Sequence, residues 1–248
     1  MNEIYHIPAM LRETIHGLNI QPNGLYVDVT FGGGGHSRAI LEALRAVQDG
    51  VELCRGGVEL YSFDQDLDAL RNAMEQSSKV PEFQCFNAQN WQFVHSNFRY
   101  LRNFMDYYGV EQIDGLLGDL GVSFHHFDCP ERGFSFRFSA PLDMRMNQQG
   151  GRTAADILNS YSEEELARVL YIYGEMNNSR QLAKKSVKMR SQKVLARTED
   201  LVELAIGNGR WAIDANGEIE VPTVAKKDLA KLFQALRIEV NNEMDSLR

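Results

Sequence analysis

The sequence predicts an α/β protein built on a mainly parallel sheet and followed by a helical half. Three observations carry this prediction. Four short runs rich in β-branched, aromatic and aliphatic residues occur before residue 121, and helix-like stretches separate them. A cluster of glycines directly follows the first run. Beyond Thr153 the pattern turns mostly helical. Strands alternating with helices imply βαβ units, and hence parallel pairing.

The elements follow in order. Leu25–Phe31 (LYVDVTF) reads as a strand closed by glycines, and Ser37–Leu44 as the helix after it. Leu60–Asp66 is the second strand and Leu67–Glu75 the second helix. Trp91–Phe98 is the third strand, and Ile113–Leu120 the fourth. Between them, Gln48–Gly57 and Lys79–Asn90 read as loops or small excursions. Residues 121–152 are rich in Gly, Phe, Pro, Asp and Arg and show no clean period. Ser162 and Glu165 form a capping box, with Ser at the N-cap and Glu three positions on. Thr198, followed by Glu199 and Asp200, marks another helix start, because acids in a first turn oppose the helix dipole. Leu229, Leu232, Phe233, Leu236, Val240, Met244 and Leu247 recur at helical spacing and form an amphipathic last stretch.

Composition narrows the class. With 44% hydrophobic and 24% charged residues, the chain is an ordinary globular one. It has no apolar run of about 18 residues, so no membrane-spanning helix is expected. Its N-terminus lacks the basic-then-apolar pattern of a secretory signal. Cys54, Cys85 and Cys129 stand far apart. That spacing suits a reducing, cytoplasmic setting and argues against a disulfide framework or a zinc cluster. The formal net charge of −8 weighs mildly against a nucleic-acid binder. Between Arg180 and Arg197, however, seven basic residues occur with no acidic one. That run is either a solvated helix face or a phosphate-contacting patch.

The glycine cluster Gly32-Gly33-Gly34-Gly35 lies where a strand turns into a helix. Without Cβ atoms the backbone there can adopt positive φ and approach a ligand. The helix behind it offers unpaired N–H groups. Open α/β sheets bind ligands at this end of their strands. A triphosphate loop would need Gly-Lys-Ser/Thr, but His36 follows Gly35. A dinucleotide loop would place a third glycine where Ser37 stands. Asp28, just before the cluster, suits a cationic ammonium better than a pyrophosphate. S-adenosylmethionine carries such an ammonium, a sulfonium and no phosphate. Asp64, ending the second strand, is placed to accept hydrogen bonds from both ribose hydroxyls of NAD or of S-adenosylmethionine. Its competing reading is a helix N-cap. A side chain in Ser96-Asn97-Phe98 ends the third strand near the place of an adenine. Asp119, ending the fourth, either holds the cofactor, accepts a hydrogen bond from a substrate amine, or caps a loop.

These residues carry a family resemblance. His6-Ile-Pro-Ala-Met-Leu11, Tyr26–Ser37, Asp119-Leu-Gly-Val-Ser123, Glu131-Arg-Gly-Phe-Ser-Phe136, Pro141-Leu-Asp-Met-Arg-Met146 and Phe233-Gln-Ala-Leu-Arg-Ile238 with Val240-Asn241 resemble, in order, the signatures of the bacterial ribosomal RNA small-subunit methyltransferase H (MraW) family. The resemblance implies a Rossmann-like class I S-adenosylmethionine-dependent methyltransferase sheet with an inserted helical domain. It also implies methylation of the exocyclic N4 of a cytidine in the decoding-centre (P-site) region of 16S rRNA, in the small ribosomal subunit. By the same resemblance, residues 1–127 are the methyltransferase domain. Residues 128–225 are the inserted helical domain, which would recognise RNA, and 226–248 a helix leading back. Cofactor contacts fall on Gly34, Gly35, His36, Asp64, Phe98 and Asp119. A further one falls on His126, where the family usually has glutamine. No metal site is expected, since adjacent His125 and His126 side chains diverge and no ligand constellation surrounds them.

Family members continue past the Phe233–Ile238 segment into further strands, including a Ser-Phe-His-Ser stretch that this sequence lacks. The last sheet strands are therefore expected to be missing and the chain to be a truncated product or fragment, with strand four as an open edge.

For the reaction, a cytosine amine is a poor nucleophile because its lone pair is delocalised. It needs alignment and an acceptor. Asp119 is the first candidate acceptor. Asp143 is the second, with Arg145 facing phosphate or a ring oxygen. The base must leave its stack, and Phe134 or Phe136 is available to stack on it unless both are core. Two alternatives stand beside this reading: a truncated, non-catalytic S-adenosylmethionine- and RNA-binding homologue, and a nicotinamide-dependent oxidoreductase.

Overall fold

The computed structural model describes residues 8, 10–48, 58–79 and 90–248. Cys54, Cys85, most of both predicted excursions and half of the His6–Leu11 motif lie outside the described residues. The chain forms two compact units, Met1–Gly121 and Val122–Arg248. No helix among the described residues is long and apolar enough to cross a membrane.

The first unit runs α1 (Leu11–Leu18), β1 (Tyr26–Asp28), α2 (Gly35–Gln48), β2 (Leu60–Asp64), α3 (Leu67–Lys79), β3 (Trp91–His95), a 3₁₀ turn (Phe98–Tyr100) continuing into α4 (Leu101–Tyr107), and β4 (Gly115–Leu117). All pairings in the sheet are parallel, in the order β3-β2-β1-β4. Asp28 of β1 stands opposite Ser62 of β2 and Leu117 of β4. This is the Rossmann-like arrangement expected from the alternating pattern.

Every residue of β1 is buried, as a central parallel strand covered on both faces requires. One face packs Tyr26 and Leu60 against Ile40, Leu41 and Leu44 of α2 and Ala69 and Ala73 of α3. The other packs Val27, Tyr61, Phe63 and Val94 against Met105 of α4. The alternation of Leu60, Tyr61, Ser62 and Phe63 between faces is the period of two that strands impose. β4 is an edge of the sheet among the described residues, and Leu116 in its middle is 49% exposed.

The second unit begins with α5 (Phe124–Asp128) and a 3₁₀ turn (Pro130–Arg132). It continues through α6 (Ala154–Ser160), α7 (Glu163–Ile172), α8 (Ser179–Arg190) and α9 (Thr198–Ile206). A small hairpin follows, β5 (Ala212–Ile213) with β6 (Ile219–Glu220), then α10 (Thr223–Val240) and α11 (Glu243–Ser246). Leu142, Met144, Ile157, Leu158, Leu166, Leu170, Leu232 and Leu236 share one core. α10 packs on α6, α7 and α9, so residues 223–240 belong to this unit's own core.

Capping boxes start α6 (Thr153 with Asp156) and α7 (Ser162 with Glu165). The predicted amphipathic last stretch is interrupted at Asn241–Asn242. Asn242 is left-handed with φ 48°, and the Asn241 amide donates to the Met144 carbonyl (2.8 Å) while its Oδ1 accepts from the Met146 N–H (2.7 Å). A side chain that ties down a distant loop ends the helix where periodicity would have continued it.

Candidate active site

β2 and β3 lie to one side of β1, and β4 to the other. The strand order therefore reverses between β1 and β4, and open α/β sheets take ligands outside the carboxyl ends of their strands at such a point. At the carboxyl ends of β1, β2, β3 and β4 stand Gly32–His36 (the loop and the start of α2), Asp64 (the last residue of β2), Phe98 and Asp119 respectively. The six first-unit residues singled out in the sequence (Gly34, Gly35, His36, Asp64, Phe98 and Asp119) thus all sit at this one end of the sheet.

The glycine loop is held from below and behind. Asp28 is fully buried. Its carboxylate accepts from the Ser37 hydroxyl (2.6 Å) and the Thr30 N–H (3.0 Å), and Ser37 Oγ lies 2.7 Å from Ser62 Oγ. Burial pushes the Asp28 carboxyl above its usual range, while the bonds from Ser37 and Thr30 and the nearby His36 pull the other way. The expected ammonium partner is thus a clamp beneath the loop. With no exposed surface, Asp28 meets Ser37 and Thr30 in place of a ligand.

From α3, Asn72 donates to the Gly32 carbonyl (3.1 Å) and Gln76 to the Gly33 carbonyl (2.7 Å). Gly32 and Gly34 adopt φ of +50° and +76°. A Cβ on Gly34 would lie 2.7 Å from both Phe31 Cζ and Gln76 Oε1, and one on Gly35 would run into the Pro8 ring. Only glycine fits this cradle. His36 stands in the first turn of α2 and is buried.

Asp64 accepts from the Gly32 N–H (2.8 Å) and the Asp66 N–H (2.9 Å), so its carboxylate links the β1 and β2 loops. The N-cap role weighed for Asp64 belongs to Asp66, whose Oδ1 accepts from the Asp68 N–H (2.9 Å) at the start of α3. The β2 and β3 loops are tied by the Asn97 amide donating to Gln65 Oε1 (2.9 Å). Asn97 Oδ1 accepts from the Arg99 N–H (2.9 Å) and so caps the turn that carries Phe98. The Asp119 N–H donates to Thr30 Oγ1 (2.7 Å), fastening the β4 loop to the β1 loop, and the Asp119 side chain is exposed. Sequence reasoning missed Thr30, Asn72 and Gln76, and named Asn97 only as part of the Ser96-Asn97-Phe98 strand end. Their side chains are common helix and loop types, and only their tertiary partners mark them.

Within the second unit, His126 closes the first turn of α5. Its Nδ1 lies 3.0 Å from Ser123 Oγ and accepts from the Ser123 N–H (3.1 Å), and its ring packs on Phe134. Asp143 is held by Arg145 in a bidentate pair (Nε–Oδ1 2.9 Å, Nη2–Oδ2 2.8 Å), and the Arg145 N–H donates to the same carboxylate (3.0 Å). The weaker acceptor candidate is therefore engaged on both oxygens by a permanent cation, which favours a structural use. Phe134 is buried in the core, and Phe136 packs edge-on against Phe233. Core packing accounts for both rings. No group of three or more His, Cys, Asp or Glu side chains able to hold a metal occurs among the described residues.

The donor set in the first unit fits a nucleoside carrying no phosphate. The cradle is glycine, an acid ends the neighbouring strand, and Gly32–Ser37 contains no Lys or Arg to balance a phosphate. Comparison with known proteins agrees. The model of the MraW methylase family matches residues 3–248. The chain is similar to the ribosomal RNA small subunit methyltransferase H of Phocaeicola vulgatus, at 49% identity over 99% of this chain and 70% of that protein. It is likewise similar to the proteins of that name from Parabacteroides distasonis (50% identity; 98% of this chain, 70% of that one) and Bacteroides thetaiotaomicron (48%; 98% and 69%). On the switch-point architecture, the glycine cradle and a match along nearly the whole sequence, the chain belongs to the MraW methylase family.

Proposed function

We propose that the chain is an S-adenosylmethionine-dependent methyltransferase of small-subunit ribosomal RNA, and that its target is the exocyclic N4 of a cytidine in the decoding region of 16S rRNA. The observation that most supports the reading is the gathering of the glycine cradle, Asp64 and Asp119 at the carboxyl ends of adjacent parallel strands. In this reading Gly34, Gly35 and His36 receive the methionine part, Asp64 accepts from the ribose hydroxyls, and Phe98 flanks the adenine. When bound, the cofactor supplies a methyl group on a positively charged sulfur.

The protein's own task is positional and acid–base. Asp119 accepts a hydrogen bond from the target amine, which localises its lone pair, and then takes the proton the amine loses on methylation. Aligning amine and methyl does much of the remaining work. The helical unit is assigned to RNA recognition.

Mass mapping of the modified nucleotide in isolated small subunits incubated with protein and cofactor tests the reading. One added methyl on a cytidine N4 is expected. Calorimetry with S-adenosylmethionine and with NAD separates it from an oxidoreductase. Cofactor binding without transfer would point to a non-catalytic homologue. Asp119→Ala should cost at least about 100-fold in turnover at saturating cofactor. Unchanged turnover with only weaker cofactor binding would remove Asp119 from the acid–base role.

A further inference from the structure

The charges of this protein are unevenly shared. Val122–Arg248 contains 18 basic and 18 acidic side chains, so the whole net charge of −8 belongs to residues 1–121. An RNA backbone is repelled by the first unit as a whole and meets no net barrier at the second. Within the second unit no acidic residue occurs from Met176 to Thr198, the stretch that holds α8 and the seven basic residues.

Tertiary structure divides those seven. Lys185 Nζ donates to the Glu203 and Leu204 carbonyls (2.8 and 2.6 Å) at the end of α9. Arg190 donates to the Leu158 and Tyr161 carbonyls (2.9 and 2.5 Å) at the end of α6. Lys193 pairs with Asp200 and Glu203 (2.8 and 2.7 Å), and Arg197 with Glu199 (2.8 Å). These four neutralise helix ends and carboxylates of their own unit. Arg180, Lys184 and Lys188 remain, all exposed and without a partner among the described residues.

The three stand at i, i+4 and i+8 on α8, and at a rise of 1.5 Å per residue the row is about 12 Å long. The opposite face, Leu182, Ala183 and Ser186, is buried, which fixes the row outward. Gln181, Ser191 and Gln192 are exposed beside it and are uncharged hydrogen-bonding groups. A solvated helix face in an acidic protein would ordinarily mix signs. This one is a single-sign row flanked by amides and a hydroxyl.

We infer that the Arg180–Lys184–Lys188 face of α8 docks along a sugar–phosphate backbone, contacting about three phosphates without reading sequence. The inference rests on the proposed RNA substrate and names the surface that holds it.

The test compares the full chain with Arg180→Gln/Lys184→Gln/Lys188→Gln. Binding of each to 16S rRNA, to an unrelated structured RNA of equal length and to intact small subunits is measured against KCl concentration. Lys193→Gln serves as a control that removes an internally paired cation. For three phosphates, the slope of log K on log salt should fall in magnitude by about 2 to 3 in the triple variant, equally on both RNAs. Lys193→Gln should leave it unchanged. An unchanged slope in the triple variant overturns the inference. So does a loss seen only on intact subunits with free RNA unaffected, which would assign the face to an acidic protein. Cofactor binding and methyl transfer are scored separately. Failure of transfer with the slope change present refutes the proposed reaction and leaves the docking face standing.

Discussion

Replacing Gly34 with alanine tests the architecture of the cofactor loop directly. Gly34 has φ +76°, and the added Cβ would lie 2.7 Å from both Phe31 Cζ and Gln76 Oε1. Three costs follow. A left-handed alanine costs roughly 1–2 kcal/mol. The Phe31 ring cannot move aside, because it is 3% exposed, stacks on Trp91 at 5.8 Å and meets Phe93 edge-on at 5.1 Å. Overpacking against such a fixed ring costs about 1–3 kcal/mol. Gln76 can swing away, but its amide then gives up the bonds to the Gly33 carbonyl and to Asn72 (2.7 and 2.9 Å), each worth about 1 kcal/mol.

The sum is about 4–7 kcal/mol, a large part of a typical domain's stability. Gly109 provides the internal control. It has φ +69°, and open space lies where an added methyl group would sit, so Gly109→Ala should cost only the backbone term, roughly 1–2 kcal/mol. Urea unfolding of both variants against the parent reads the difference, and calorimetry should show cofactor binding lost in Gly34→Ala and kept in Gly109→Ala. Equal destabilisation of the two variants, within about 0.5 kcal/mol, would refute the claim that the cradle is closed by Phe31 and Gln76.

Three further outcomes are expected. Burial raises the Asp28 carboxyl above its ordinary value, so its contribution to stability is full below the unfolded value near 3.8 and lost as pH rises through the folded one. Asp28→Asn should therefore gain stability relative to the parent as pH rises from acid to neutral, and a difference constant across that range in urea titrations would count against it. Tyr161, pushed up to about 12 by burial and by its bond to Glu239 (2.6 Å), contributes stability that is present below pH 10 and fades between the two values. Tyr161→Phe should lose roughly 1 kcal/mol at neutral pH and show a flatter alkaline limb in thermal melts, whereas parallel limbs would contradict the assignment. Thr153→Ala removes the side-chain acceptor for the Asp156 N–H (3.1 Å) at the start of α6 and should cost about 1 kcal/mol, while Thr153→Ser should cost much less. Equal losses in denaturant midpoint would show that the cap is not what Thr153 contributes.

The four strands could be read from sequence because each is a short run rich in β-branched, aromatic or aliphatic residues set between helix-like stretches. The glycine cradle was equally plain, since four glycines at a strand–helix junction have few other uses. α1 and α4 escaped notice for a physical reason. α1 is eight residues long and buries none of them fully, and α4 is seven residues long behind a 3₁₀ turn, with Met105 alone fully buried. Such short elements carry too few turns to show a period.

The sequence by itself determined the fold class, the loop chemistry and the presence of Asp64 and Asp119 at strand ends, because these depend on residue type and spacing within about ten residues. Tertiary structure alone decided the direction and the company of the side chains. It turned Asp28 inward to Ser37 and Thr30, and gave the N-cap of α3 to Asp66. It ordered the aperiodic stretch around Met146 through Asn241, 95 residues away. It also split one run of seven basic residues into four cations bonded to groups of their own unit and three exposed ones without a partner among the described residues. A charge or a carboxylate is written in the sequence. Whether it meets solvent or a partner depends on contacts between distant segments, and no local pattern encodes those.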